Sequence, residues 1–406
     1  RRSSDLLQQF VDRALARNPD LLAARERLAE TQALLRQAGL PPNPSLDLSV
    51  ASGDALRSPG ERQFEIGYSQ VIELGGKRAR RVDAAQIQTA MAALEIANRE
   101  RLLRASVKSR YVEALAAMRN LGNARQLLEL NRKSLALALA RTREGEGAPL
   151  EQGLLQVEVN RIESDTLLFE SQVERAVMEL TLLAGPDRED ALEIREPLVP
   201  PAAEVNPAAL AERALAKRPD LHAARHEERL ADAQLGLARA GASPDLVATG
   251  RYGHVQSRFE QYGLAGPGGP LAQLRDTDNI LTAGISISLP FRNRNQGNID
   301  AAVARGRAAR LRRESIERSV RQEVLALANR YDAARRALRV SGDGVRQSQE
   351  NLRIVRGAFD LGELRLLDVI NEQRRLLETE RAYTDLLKDA NIAMAELERA
   401  VGVSIQ

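Results

Sequence analysis

From Ala79 to Arg143 the chain runs about 65 residues with no proline and a single glycine, Gly122. Read as one helix at ~1.5 Å per residue, that stretch is ~100 Å long. No single globular core needs a helix of that length. A rod of this kind buries its apolar side against other long helices, so extended helical hairpins are expected before any motif is considered. After Gly145-Glu146-Gly147-Ala148-Pro149 a second helix is expected over 150–184, folding back on the first. Composition agrees: aromatic residues are 3% of 406, hydrophobic residues 43% and charged residues 28%, a mixture that favours long helices over deep cores.

The sequence is also a repeat. RALARNPDLLAARERLAETQALLRQAGLPPNPSLDLSV, from Arg13, reads against RALAKRPDLHAARHEERLADAQLGLARAGASPDLVATG, from Arg213, at an offset of 200 residues, so Pro19-Asp20-Leu21 corresponds to Pro219-Asp220-Leu221. Each copy continues as a helix, a proline-marked break, two strand-like runs, a very long helix, a glycine-marked break and another helix. Copy one covers 1–200, with strands at about 45–52 and 62–73 and helices over 79–143 and 150–184. Copy two covers 201–406, with strands at about 245–255 and 279–290 and helices over 297–358 and 364–400. The proline-rich, acidic segment 185–207 reads as an irregular connection. Leucines near a 3.5 spacing, Leu127, Leu130 and Leu137 in one arm and Leu367, Ile370 and Leu377 in the other, suggest coiled-coil seams.

The strand-like runs alternate. Phe64, Ile66, Tyr68 and Ile72 point one way while Glu65, Gly67 and Ser69 point the other; Leu281, Ala283, Ile285, Ile287 and Leu289 lie opposite Thr282, Gly284, Ser286 and Ser288. Apolar on one face and polar on the other fits a transmembrane barrel with lipid outside and water inside, with a small soluble sheet as the lesser alternative. Four strands cannot enclose an aqueous lumen, so a barrel would need several chains. No stretch approaches the ~18 to 20 apolar residues of a membrane-spanning helix. The N-terminal RRSSDLLQQF has basic residues and no apolar core, so a secretory signal is expected to be absent or already removed.

Several functions are excluded early. With no cysteine there are no disulfides, iron–sulfur clusters, thiolate zinc sites or cysteine nucleophiles. A net charge of +3, dispersed along helices, offers no nucleic-acid surface. No phosphate loop, HExxH or serine-triad pattern is present, so neither an enzyme nor a bound cofactor is expected. His222 and His226 have the i,i+4 spacing of metal ligands, but their copy-one counterparts are Leu22 and Glu26, and they are expected to be surface residues and weak metal candidates. His254 is expected in a loop.

The repeat, together with VIELGGKRARR (71–81), SLPFRNRNQG (288–297) and FDLGELRLLDVINEQ (359–373), resembles TolC-type outer-membrane efflux proteins, in particular the CzcC-like branch, over essentially the whole chain. The resemblance implies a mainly α fold with a transmembrane β-barrel: a homotrimer with a twelve-stranded barrel in the outer membrane, continued by a long α-helical periplasmic tunnel. It implies a passive exit duct in a tripartite RND-type efflux system, with a periplasmic adaptor (membrane fusion protein) and an inner-membrane RND transporter as partners and divalent heavy-metal cations as cargo. A drug-efflux or type I secretion duct shares the fold. A soluble coiled-coil scaffold is the reading from another class, and would need neither lipid-facing strands nor the glycine-rich loop 263–270.

The resemblance also distributes roles. Gly75 and Gly76 turn the strand into the helix at the barrel-to-tunnel junction, with Lys77, Arg78, Arg80 and Arg81 in copy one and Arg292 and Arg294 in copy two either lining the lumen, touching lipid headgroups or solubilising the first helical turn. Asp368 matches the acid at the periplasmic entrance, with Glu151 its copy-one equivalent and Arg365 a compensating donor. Glycine and acid are six residues apart in both copies, Gly145 to Glu151 and Gly362 to Asp368. Asn371 stands where the pattern often has a second acid. Gly145, Gly147, Gly362 and Leu364 mark the tips that would meet the adaptor.

Overall fold

The computed structural model describes residues 3–53, 60–144, 149–185, 194 and 196–405. Among them the chain forms eight helices and four strands. Copy one holds α1 (Ser3–Arg17), α2 (Pro19–Ala38), β1 (Ser45–Ser52), β2 (Arg62–Ile72), α3 (Lys77–Arg143) and α4 (Pro149–Ala184). Copy two holds α5 (Pro207–Lys217), α6 (Pro219–Ala240), β3 (Leu246–Leu264), β4 (Leu271–Ile287), α7 (Gln296–Asp360) and α8 (Leu366–Val401).

Helix starts follow local chemistry. The Asn18 side chain accepts from the N–H groups of Asp20 and Leu21 at 3.1 and 3.2 Å, and Asn206 does the same for Ala208 and Ala209, each just before a proline at the first helical position. The chain divides into two compact units that cut across the repeat: 1–27, 92–224 and 313–406 form a helical unit, and 28–91 with 225–312 form a unit carrying the sheet. Each copy contributes to both.

The helical unit holds two matching cores. Phe10, Val11 and Ala14 of α1 pack with Val107, Tyr111 and Leu115 of α3 and Leu180 of α4; Leu210 and Ala214 of α5 pack with Val324 and Tyr331 of α7 and Leu397 and Val401 of α8. Connection residues Ile194 and Leu198 are buried in the first core. The Tyr111 hydroxyl donates to Glu196 Oε2 at 2.9 Å and the Tyr331 hydroxyl to the Ala203 carbonyl at 2.8 Å, so corresponding tyrosines strap the connection to the bundle. The seam phase differs from the sequence expectation. In the last third of α3 Leu121, Ala124, Leu128 and Leu135 are buried, whereas Leu137 is exposed; on α8 Ile370 is buried and Leu367 is exposed. Leucine doublets, Leu127-Leu128 and Leu366-Leu367, permit two phases, and packing against Leu155, Val159 and Ile162 of α4 selects one.

In the second unit the strands pair in the order β1-β2-β3-β4, all antiparallel. β3 and β4 extend well past the expected 245–255 and 279–290 at their outer ends, and β4 stops at Ile287, leaving Ser288 and Leu289 outside it before Pro290. The extension is rich in charged and polar side chains and carries no apolar alternation; backbone pairing from Gln256↔Thr277 to Leu264↔Leu271 forms it. His254 therefore lies within a strand, opposite Phe64 and Asn279, and not in a loop.

Candidate functional site

Cross-strand register converts alternation in each strand into two continuous faces. On one face the rows read Ile72–Leu246–Ile287, Gln70–Ala248–Ile285, Leu46–Tyr68–Gly250–Ala283, Leu48–Ile66–Tyr252–Leu281 and Val50–Phe64–His254–Asn279. Mainly aromatic and aliphatic columns thus align into one apolar band, with Gln70 within it and His254 and Asn279 at its end. Its edge-strand side chains are bare in the single chain: Leu281 is 83% exposed, Val50 78% and Ile285 71%. On the opposite face Asp47, Glu65, Thr249, Arg251, Thr282 and Ser286 collect, with Arg251 Nη1 3.5 Å from Glu65 Oε1. β1 and β4 are the sheet edges, each paired on one side only. A sheet so built can wall an aqueous space from an apolar one once neighbours close its edges.

The strand-to-helix junction is the second element. Gly75 and Gly76 have φ of +68° and +72°, and a Cβ on Gly75 would sit 2.5 Å from Ser243 Oγ, so the turn requires glycine. Immediately after it Lys77 Nζ lies 2.7 Å from Asp245 Oδ1, which also accepts from the Leu74 N–H at 3.2 Å. The Arg81 guanidinium grips Glu73 with both Nη atoms, Nη2 at 2.9 Å from Oε2. Those cations hold the Glu73 and Asp245 carboxyls below their ordinary range. Lys77 and Arg81 are consequently tied down as structural pins, while Arg78 and Arg80 are exposed. In copy two the turn is made differently: Asn295 takes φ +60° and its Nδ2 donates to the Ala238 carbonyl at 2.7 Å, with Arg292 and Arg294 exposed beside it. Asp245 escaped the sequence reading because its partner Lys77 is 168 residues away, and Asn295 because the Ala238 carbonyl it meets is 57 residues away. Glu73, in contrast, pairs with Arg81 only eight residues on and was passed over within the junction motif itself.

At the hairpin tips, Gly145 and Gly147 lie outside the described residues. The other turn closes through Gly362 N–H to the Phe359 carbonyl and Glu363 N–H to the Ala358 carbonyl, both 2.9 Å, with Leu361 and Leu364 exposed. Asp368 is exposed, and its Oδ2 accepts from the Arg365 backbone N–H at 3.0 Å, closing the first turn of α8. Arg365 thus meets Asp368 through its backbone. Glu151, half-buried in the first turn of α4, faces a cavity of about 150 Å³ lined also by Arg141, Arg356, Asp360 and Gln373.

Sequence reading missed Glu158. Its side chain is 1% exposed, lies at a seam position between Leu155 and Ile162, and is shared by Arg161 of its own helix (Nη2–Oε1 2.6 Å) and Arg374 of α8 (Nη2–Oε2 2.6 Å). Burial alone would push this carboxyl up, but the two guanidiniums outweigh it and hold it below its ordinary value. The one signal available was an acid on the apolar stripe followed by arginine three residues later. His222 Nε2 lies 3.0 Å from the Ala216 carbonyl oxygen, and among the described residues no group of three or more His, Asp or Glu is placed to hold a metal.

Comparison with known proteins gives a consistent picture. The profile of the family described as outer membrane efflux protein matches residues 10–186 and 210–403. The cobalt-zinc-cadmium resistance protein CzcC of Cupriavidus metallidurans is 25% identical over 401 residues, covering 98% of this chain and 90% of that protein. The toluene efflux pump outer membrane protein TtgI of Pseudomonas putida is 25% identical over 417 residues, covering 98% and 85%. Among solved structures, CusC superposes with a TM-score of 0.76 at 20% identity, covering 98% of this chain and 92% of that one, a likeness in fold.

Proposed function

This chain belongs to the outer membrane efflux protein family, and from that premise we propose that it is the passive exit duct of a tripartite efflux system, working as a homotrimer and releasing divalent heavy-metal cations. The observation that carries the duct is the sheet: a mainly apolar band on one face, interrupted by Gln70 and ending at His254 and Asn279, with mostly polar and charged side chains on the other and, among the described residues, two edge strands paired on one side only. Four strands enclose no lumen, whereas three chains supply twelve. The apolar face then meets outer-membrane lipid, and the polar face lines the pore. A periplasmic adaptor and an inner-membrane transporter supply the cargo and the energy, and the adaptor meets the tips around Gly362 and Leu364.

Metal cargo is supported by the full-length likeness to CzcC. An equally extensive likeness to TtgI favours organic compounds as the second reading. A lumen wide enough for hydrated ions discriminates weakly, so the upstream transporter selects the cargo in either case. Mass measurement in mild detergent is expected to give three chains, and the trimers are expected to conduct in planar bilayers. A monodisperse monomer that needs no detergent refutes the duct. Cargo is tested by whether deletion sensitises the host to zinc, cobalt and cadmium salts or instead to toluene.

A further inference from the structure

Past its apolar rows the outward face of the sheet changes chemistry. The inference rests on the duct reading, in which this face meets lipid and the strand ends that lead into α2, α3, α6 and α7 lie on the periplasmic side. Moving the other way along the same alternation, the row after Val50–Phe64–His254–Asn279 is Ser52–Arg62–Gln256–Thr277, and the next pairs Arg258 directly with Arg275. The acids of this stretch fall on the other face: Asp276 and Asp278 are opposite Ser257 and Val255, and Glu65 is opposite Gly253. Within these paired rows the outward face carries three arginines and no carboxylate.

That arrangement is costly by itself. Like charges directly opposite on one sheet face repel, and Arg258 and Arg275 are such a pair, with Arg62 diagonal to Arg258 across β2 and β3. The fold nevertheless makes room for it. Gly60 sits at φ +99°, and a Cβ there would lie 2.7 Å from the Arg258 Cδ, so the arginine stem crosses the end of β2 where only a glycine lets it lie. Arg258 Nε also donates to Gln273 Oε1, which fixes the stem.

Height places the arginines at a definite depth. Phe64 is eight residues from Ile72, ~27 Å along the strand and ~21 Å of membrane depth at a tilt of ~40°. By the same conversion the Arg62 row lies at ~26 Å and the Arg258–Arg275 row at ~31 Å, just above an apolar band that is ~25 Å tall in such barrels. We propose that Arg62, Arg258 and Arg275 form a basic belt that binds the phosphate groups of outer-leaflet glycolipid, the doubly phosphorylated glucosamine headgroup of lipid A. The belt faces the same way as the apolar band and continues it, so its ligand is part of the lipid layer. Guanidinium groups pair with phosphate through two parallel hydrogen bonds, and two phosphates on one headgroup suit arginines spread over two rows.

The test uses purified full-length trimers and native mass spectrometry with titrated lipid A, the same lipid stripped of its phosphates, and inorganic phosphate as competitor. Wild type is expected to retain phosphorylated lipid A roughly tenfold or more tightly than the stripped lipid, with the difference shrinking as salt rises. The triple variant Arg62→Gln, Arg258→Gln, Arg275→Gln is expected to erase that preference, and the matching lysine variant to keep part of it. Equal retention of the two lipids by wild type, which involves no variant, overturns the belt. So does a preference that survives in folded glutamine trimers, or displacement of lipid A by millimolar inorganic phosphate, which marks a free-anion site. Conductance of wild type in a neutral bilayer separates the two readings: a chain that never conducts fails as a duct, whereas conducting trimers indifferent to lipid phosphate overturn the belt alone.

Discussion

Arginine substituted at Ile285 and at Ser286 tests the two faces of the sheet at one height. Ile285 lies opposite Ala248 on the apolar face, one row from the central Leu46–Tyr68–Gly250–Ala283 row, and so ~5 Å in depth from the middle of the band. Charge facing lipid costs ~2 to 4 kcal/mol at mid-membrane and ~0 to 1 near the interface, which interpolates to about 2 kcal/mol per chain at this depth. Three chains share one barrel, so Ile285→Arg costs about 6 kcal/mol per trimer, as much as the whole stability of many domains. Ser286 lies opposite Val247 on the polar face, where an arginine reaches water, and its substitution is expected within about 0.5 kcal/mol of neutral. Heat-modifiable trimer in the outer-membrane fraction, normalised to total chain, is the measure: near wild type for Ser286→Arg and severely reduced for Ile285→Arg. Ile66→Arg, on the apolar face beside Tyr252, is expected to follow Ile285→Arg. Equal yields at 285 and 286, or the reverse order, refute the assignment of the faces.

The tips carry two further predictions. Asp368→Asn keeps an acceptor for the Arg365 N–H and removes the charge, so in planar bilayers it is expected to weaken block by divalent cations applied from the periplasmic side while α8 starts normally; Asp368→Ala adds the loss of the cap, about 1 kcal/mol, and block unchanged in both variants removes Asp368 from the entrance. Glu158→Gln takes one charge from a buried tie whose arginines are 37% and 44% exposed, which reduces its cost to about 1 to 2 kcal/mol. The variant is expected to open more often in single-channel records and to be cut faster by trypsin near the tips; wild-type behaviour in both would show that this tie does not hold α4 to α8. Because the Glu158 carboxyl is depressed in the folded chain, its contribution is complete above the unfolded glutamate value of about pH 4.3 and is lost only as pH falls through the lower folded value.

What the sequence made legible is what depends on local pattern. Proline spacing and helical periodicity locate the long helices, and strand alternation identifies which residues share a face, because both signals lie within a few residues of each other. The phase of the seam was not legible, since Leu127 and Leu128 are equally apolar and only the partner helix decides between them. Nor was the asymmetry hidden in the repeat. At the offset of 200, Arg218 stands where Asn18 caps α2, but a guanidinium has no acceptor to offer a helix N-terminus. Arg218 turns inward instead, is 6% exposed, and pairs with Asp220 at 2.6 Å and with Glu323, which also holds Arg399 at 2.9 Å.

The tip acids show how a spacing can be read correctly and still be ambiguous. Six residues separate glycine from acid in both copies, and the resemblance assigns both acids to the periplasmic entrance. In the structure Asp368 occupies the third position of α8 and accepts the Arg365 N–H, while Glu151 lies in the first turn of α4. An acid in that position completes a helix start and complements the helix dipole wherever a glycine turn ends one helix and the next begins. At Asp368 the spacing therefore follows from the geometry of the helix start even if no ion ever passes the residue. Capping requires an oxygen, whereas cation attraction requires a charge. The asparagine variant separates these two demands at Asp368, and Glu151, which faces the cavity beside Arg141 and Arg356, supplies the internal comparison.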